Sequence, residues 1–251
     1  MDALNQSELY ERLHRGHDGD LCFYENACTD CNRVLELGAG AGRVTIPIAR
    51  AGAQVLGVEI DEAMLTLARR AVALETPEVQ ARVGWVQSDM SDFTLAGRFD
   101  RVILPYNTLL CLLSSEEVAR CLACAHRHLK PDGQLIFDVY RADTMHEEDD
   151  DDDEDDHEPI VTIDHAAGVF DVYEQSTWLR QEQRLDTVYH FIPRDGQEAF
   201  AQHIPQRYLL GPEIHQLLRD SGFRLLRHEG GFFGEPLDEE ALHHVVVASR
   251  D

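Results

Sequence analysis

Residues 33–61 read RVLELGAGAGRVTIPIARAGAQVLGVEID. The apolar run 34–37 is short enough for a strand covered on both faces of a sheet. Gly38, Gly40 and Gly42 follow it in alternation, letting the backbone turn sharply and approach a ligand without an intervening Cβ. A helix start comes next, and the amides there point into the same space. The strand 54–58 then ends in Glu59, where a carboxylate can accept hydrogen bonds from a ribose diol. Strand, glycine turn, helix, strand and acid together point to an adenosine-type ligand.

The dinucleotide fingerprint G-x-G-x-x-G/A needs a small residue at its sixth position, and Arg43 stands there instead. The pattern is G-x-G-x-G, with Glu36 two residues ahead of Gly38. E-L-G-A-G-A-G therefore resembles motif I of the class I S-adenosylmethionine-dependent methyltransferases. Later segments agree in order. A helix is expected over 62–73, with Met64, Leu65, Ala68 and Val72 on one stripe, and a strand over 83–87 leading into Ser88-Asp89-Met90. A strand over 99–104 opens into Pro105-Tyr106-Asn107. A helix over 116–129, a turn at Lys130-Pro131-Asp132-Gly133 and a strand over 134–139 complete the run, the turn resembling the family's L-K-P-G-G with Asp132 as a departure. A helix over 211–221 and strands over 223–228 and 244–249 close the chain.

The resemblance implies an α/β fold: a Rossmann-like, seven-stranded methyltransferase sheet whose last strand inserts antiparallel. It also implies S-adenosyl-L-methionine as cofactor. Glu36 and Gly42 belong to that motif; Gly38, Ala39 and Gly40 would approach the amino-acid part, Glu59 the ribose and Ile60 the adenine. Asp89 would bond the adenine amino group, Met90 would pack on the ring, and Leu104 would end the strand beside the reactive methionine moiety.

Residues 160–210 alternate at period two, with Leu185, Thr187, Tyr189 and Phe191 on one face. Runs at 160–164, 169–179, 183–192 and 199–209 predict an antiparallel meander inserted between the fifth strand and the last helix, with turns at Ala167-Gly168 and Arg194-Asp195-Gly196. Such an insertion is similar to that of small-molecule methyltransferases, including sugar N-methyltransferases, where it covers the active site. The expected organisation is a helical lid over 1–32 and a methyltransferase domain over 33–251, with an acidic disordered loop at 145–158 and a substrate cap at 160–210. Candidates for the substrate pocket are Tyr24, Tyr106, Asn107, Tyr140, Arg207 and Tyr208. The sequence names no catalytic residue; a base could come from His14, His17, His165 or His190 among 13 histidines.

Of 251 residues 43% are apolar, ordinary for one soluble domain, and no run approaches the ~20 needed to span a bilayer. The polar N-terminus predicts no secretory signal and a cytoplasmic protein. Net charge is −25, and residues 147–156 are ten consecutive acids, which predict a solvated, self-repelling segment rather than a calcium loop. Lys130 is the only lysine. That usage fits GC-rich coding with some adaptation to salt, and with no basic stripe it argues against nucleic acid. The C-x-x-C pairs Cys28/Cys31 and Cys121/Cys124 lie far apart in sequence and read as buried structural thiols, with no metal expected. The expected function is methyl transfer to N or O of a small molecule, the alternatives being a protein or peptide methyltransferase and a non-catalytic binding member.

Overall fold

The central strands of the main sheet carry apolar residues on both sides, so the middle of the sheet must be covered twice. In the computed structural model, which describes residues 2–147 and 158–250, it is. The chain opens with α1 (Ala3–Leu13) and α2 (Asp20–Cys28), then alternates through β1 (Arg33–Leu37), α3 (Thr45–Ala51), β2 (Gln54–Glu59), α4 (Glu62–Ala73), the single turn α5 (Pro77–Gln80), β3 (Val83–Gln87) and β4 (Phe99–Leu104). α6 (Ser115–His128), β5 (Leu129–Tyr140) and a short α7 (Asp143–Glu147) follow. Four antiparallel strands come next: β6 (Val161–His165), β7 (Gly168–Leu179), β8 (Arg184–Pro193) and β9 (Phe200–Arg207). α8 (Gly211–Asp220), β10 (Phe223–Glu229) and β11 (His243–Arg250) end the fold.

The main sheet has the order β10-β11-β5-β4-β1-β2-β3, with β11 antiparallel between β5 and β10. Strand order reverses between β1 and β4, which opens a crevice at the carboxyl ends of both. Alternation sorts the two faces. Leu35, Leu37, Val102, Leu135, Phe137 and Val246 pack under α6 and α8, and Val34, Ile103, Ile136, Val245 and Val247 pack on the side of α2 and α3. Burying one such side chain contributes about 1.5–3 kcal/mol. Helix ends are locally specified: Asp61 caps α4 by accepting the Ala63 and Met64 amides, and Ser114 and Glu117 form a capping box on α6. A third apolar centre joins Leu9 of α1 to Ile163, Phe170, Val172 and Phe191, so α1 fastens the inserted sheet to the rest.

The structure corrects two expectations. Lys130–Gly133 does not separate a helix from a strand. Leu129 already pairs with Phe99 and Gln134 with Arg101, so the segment bulges within β5, held by Lys130 Nζ at 2.6 Å from Asp100 Oδ1. Met145 to Glu147, assigned to the acidic loop, sit in α7; residues 148–157, and with them the disordered-loop reading, lie outside the described residues. The two C-x-x-C units fall on opposite faces of the sheet, Cys28 and Cys31 with the α2 layer and Cys121 and Cys124 with the α6 layer. They cannot share a ligand. Among the described residues no helix is long and apolar enough to cross a membrane.

Candidate functional site

The glycine turn begins where β1 stops. Gly38, Gly40 and Gly42 all have positive φ (66°, 54° and 90°), a region that costs other residues about 1–2 kcal/mol. Their surroundings differ. A Cβ on Gly38 would stand 2.3 Å from Thr108 Cγ2 and one on Gly42 2.9 Å from Trp85 Cη2, whereas one on Gly40 would meet nothing within 4 Å. Gly40 alone of the three thus opens onto empty space, a cavity of about 950 Å³ that runs along the carboxyl ends of the strands.

Glu59 holds this turn. Its Oε2 accepts the Gly40 amide at 2.9 Å, and Oε1 accepts the Ile60 and Asp61 amides at 2.8 and 2.9 Å. The carboxylate has acceptor capacity left for a hydroxyl in the cavity. Glu36 lies deeper. It is buried, takes the Thr45 hydroxyl, and burial pushes its carboxyl up to about 8 against the pull of Thr45 and Arg43. Beyond Glu59 the wall is made by Ile60, Asp61, Met64, Asp89 and Met90. Ile60 is 65% exposed, an apolar side chain at the rim that a flat ring could cover.

At the opposite end the chain makes a strained corner, Tyr106 and Asn107 both having left-handed φ (57° and 61°). Asp138 of β5 holds that corner. It is fully buried, and its Oδ1 accepts the Tyr106 amide at 2.9 Å and the Tyr24 hydroxyl at 2.6 Å. Burial, the largest cause, drives the Asp138 carboxyl up to about 6. Asn107 Oδ1 in turn accepts the Tyr140 amide at 2.6 Å. Arg43 forms two bonds to the buried Asp20 of α2, at 3.0 and 2.7 Å, and lies 5.4 Å from the Tyr106 ring centre. That pair ties the N-terminal segment to the glycine turn. The cavity's far wall comes from α1, through Tyr10 and His14, and from β7, β8 and β9, through Glu174, Thr187, Tyr189 and Gln202.

Glu36, Gly38, Ala39, Gly40, Glu59, Ile60, Asp89 and Met90 therefore line one cavity together with Tyr106, Asn107 and Tyr140. Five expected site residues do not. Gly42 faces Trp85, and Leu104 points into the core under α6. Tyr24 supports the corner from beneath, fully buried. Arg207 is turned to Glu213 at 2.5 Å, and Tyr208 to His146 at 2.8 Å, away from the chamber. Of the candidate bases only His14 lines the cavity. His17 packs behind Tyr106 at 4.7 Å between ring centres, His165 bonds Glu8 at 2.7 Å, and His190 follows Tyr189 on the other face of the inserted sheet. Asp138, Asp20, Glu174 and Gln202 were not legible as site residues. The lone acid inside the apolar run LIFDVY was the one signal for Asp138.

A family model described as a methyltransferase domain matches residues 34–133. The cypemycin N-terminal methyltransferase of Streptomyces sp is 25% identical over 225 residues, 88% of this chain and 84% of that protein. YqeM of Bacillus subtilis (strain 168) is 30% identical over 137 residues, 53% of either chain, so the chain spans about half the length of that relative. Among solved structures, the CcbJ methyltransferase from Streptomyces caelestis is similar with a TM-score of 0.76 at 24% identity, covering 93% of this chain and 90% of its own. The sugar N-methyltransferase KedS8 from Streptoalloteichus sp ATCC 53650 gives 0.74 at 18% identity, covering 96% and 92%. At these identities the two structures establish the shared fold.

Proposed function

The chain belongs to the class I S-adenosylmethionine-dependent methyltransferases, and on that footing we propose that it transfers a methyl group to a nitrogen or oxygen of a small molecule. The observation that carries the reading is the continuity of the cavity, from the glycine turn and Glu59 to a chamber closed by α1 and the inserted sheet. A cofactor that spans this length would present its reactive end to the chamber. In this reading Gly38, Ala39 and Gly40 lie against its amino-acid part. Glu59 takes the ribose hydroxyls, Asp89 the adenine amino group, and Ile60 and Met90 the faces of the ring. The residues fit such a ligand: the Gly40 position is open toward it, and Glu59 retains free lone pairs.

When bound, the sulfonium supplies an already activated methyl group. The protein has to align a nucleophile and exclude water, and alignment alone supplies up to roughly 7–11 kcal/mol. Tyr106 and Asn107, fixed by Asp138 and Tyr140, set the floor against which the acceptor is held. The inserted sheet and α1 wall the chamber in which the reacting atoms would meet.

A second reading, an N-terminal amine of a peptide or protein as acceptor, is favoured by a relative that matches 88% of this chain and is named an N-terminal methyltransferase. Incubating the full chain with methyl-labelled S-adenosylmethionine and panels of amines, phenols, sugars and short peptides separates the two. Label in a small molecule but not in peptides supports the first reading, and label in peptides alone replaces it with the second. Cofactor binding without transfer to any member would leave a binding protein.

A further inference from the structure

The chamber beyond Tyr106 is richer in acceptors than in donors, the buried and unpartnered Tyr140 hydroxyl being able to act as either. Strand register sets Glu174, Tyr189 and Gln202 side by side across β7, β8 and β9. Gln202 gives its Nε2 to the Gln6 carbonyl at 2.9 Å, and this fixes the amide so that Oε1 is its remaining polar atom; Oε1 is buried without a partner. His14 Nε2 is buried and unpartnered as well. Burial lowers that imidazole to about 4, so the ring is uncharged near neutral pH. Around these atoms stand aromatic rings: His14 lies 4.2 Å from Tyr10, 5.1 Å from Tyr189 and 6.2 Å from Tyr106 between centres.

Among the described residues, Arg43 is the one lysine or arginine side chain lining the cavity, and Asp20 already holds its guanidinium at 2.7 Å. Glu11 and Glu174 line the chamber as carboxylates. Acceptor atoms without donors, carboxylates without counter-ions and the electron-rich faces of tyrosines call for a ligand that is cationic and rich in N–H donors. A carboxylate or phosphate would meet repulsion, and a neutral alcohol would leave the carboxylate charge without a counter-ion, since Glu174 is met only by hydroxyls, that of Ser176 at 2.8 Å and that of Tyr189.

We propose that the methyl acceptor is an amine, received as its ammonium ion by Glu174 and Gln202 and by the faces of Tyr10, Tyr106 and Tyr189. This deepens the methyltransferase reading and rests on it. The ammonium gives one proton to the Glu174 carboxylate, which is solvent-exposed and passes it to water. The freed lone pair forms the N–C bond as the C–S bond breaks, and the C–S electron pair goes to sulfur. The products are a methylated ammonium and a neutral thioether.

The test is calorimetric, on the full chain saturated with S-adenosylhomocysteine, with matched pairs as probes: benzylamine and benzyl alcohol, glucosamine and glucose, alaninamide and lactamide. The expected result is that amines bind at least about tenfold more tightly than their hydroxyl twins, as a hydrogen bond to a charged partner implies. Glu174→Gln should reduce that ratio to near one without changing affinity for S-adenosylhomocysteine. Gln202→Leu should reduce it in part, and the outward-facing Asp171→Asn should leave it intact. Equal binding of twins, a ratio unmoved by Glu174→Gln, or no saturable amine binding by protein that does take S-adenosylhomocysteine would each overturn the proposal. Failure to bind S-adenosylhomocysteine would instead defeat the methyltransferase reading itself.

Discussion

Replacing Gly40 and Gly42 by alanine, one at a time, should separate ligand binding from stability within a single turn. At Gly40 the added methyl meets no atom within 4 Å, so its cost to the fold is the left-handed φ of 54° alone, about 1–2 kcal/mol. The same methyl projects into the cavity where the amino-acid part of the cofactor would lie against the backbone. Overlap with a ligand seated there costs about 1–3 kcal/mol, a loss of about 5- to 150-fold in affinity. At Gly42 the arithmetic reverses. A methyl 2.9 Å from Trp85 Cη2 adds about 1–3 kcal/mol of overpacking to the backbone cost at φ 90°, for a loss of about 2–5 kcal/mol. Because that methyl faces Trp85, affinity should change less than about threefold. Urea denaturation gives the stabilities, and titration with S-adenosylhomocysteine, under conditions where both variants are folded, gives the affinities. Undiminished binding by Gly40→Ala, or weakened binding by Gly42→Ala at unchanged stability, would refute this account of the turn.

Three further outcomes follow from the same geometry. Asp20→Ala leaves Arg43 facing a buried, emptied site and should cost about 2–4 kcal/mol, with faster proteolysis at the N-terminal segment; resistance equal to that of the unaltered chain would contradict its tethering role. Glu36 is raised by burial from 4.5 to about 8, so it stabilises the fold below its unfolded value and loses that contribution as pH rises through about 8. Glu36→Gln should therefore match the unaltered protein near pH 5 and gain on it by pH 9 in urea midpoints; a constant difference would rule this out. His14, His17 and His228 are all lowered by burial from 6.5 to about 4, His228 also being wedged between His215 and His244 in a hydrogen-bonded chain that ends on Asp143. Their contribution is present above 6.5 and is lost as pH falls toward 4, partly offset by Glu36 and by Asp138, which is raised to about 6. Urea midpoints should drop across that window, and His228→Phe should flatten the slope.

Much of the fold was legible because the main strands carry their own signals. α4, β3 and β4 fall where period and flanking residues put them, since an apolar stripe or a short apolar run bounded by turns is local information. The bulge in β5 was not, because Lys130-Pro131-Asp132-Gly133 has turn composition while its place in the strand is set by Phe99 and Arg101 on a neighbouring strand. The site divides in the same way. The glycine turn, Glu59 and Asp89-Met90 are contiguous motifs, but a motif does not tell which side of the backbone each residue faces, and Gly42 and Leu104 face away from the cavity. Glu174 and Gln202 meet the chamber only because β7 to β9 fold over α1. Asp20 meets Arg43, and Asp138 meets Tyr24, through contacts between distant parts of the chain. Pairings of that length leave no trace in a single sequence.

The central claim is that the cavity bounded by the glycine turn and Glu59 takes S-adenosylmethionine. Isothermal titration of the full chain with that cofactor and with S-adenosylhomocysteine tests it most directly. The account predicts one saturable site at which the two compete, weakened in Gly40→Ala, and a rise in unfolding free energy of about 2.7 kcal/mol at a free concentration of about 100 Kd. Absence of saturable heat and of stabilisation at millimolar concentrations, in protein that unfolds cooperatively, would contradict it.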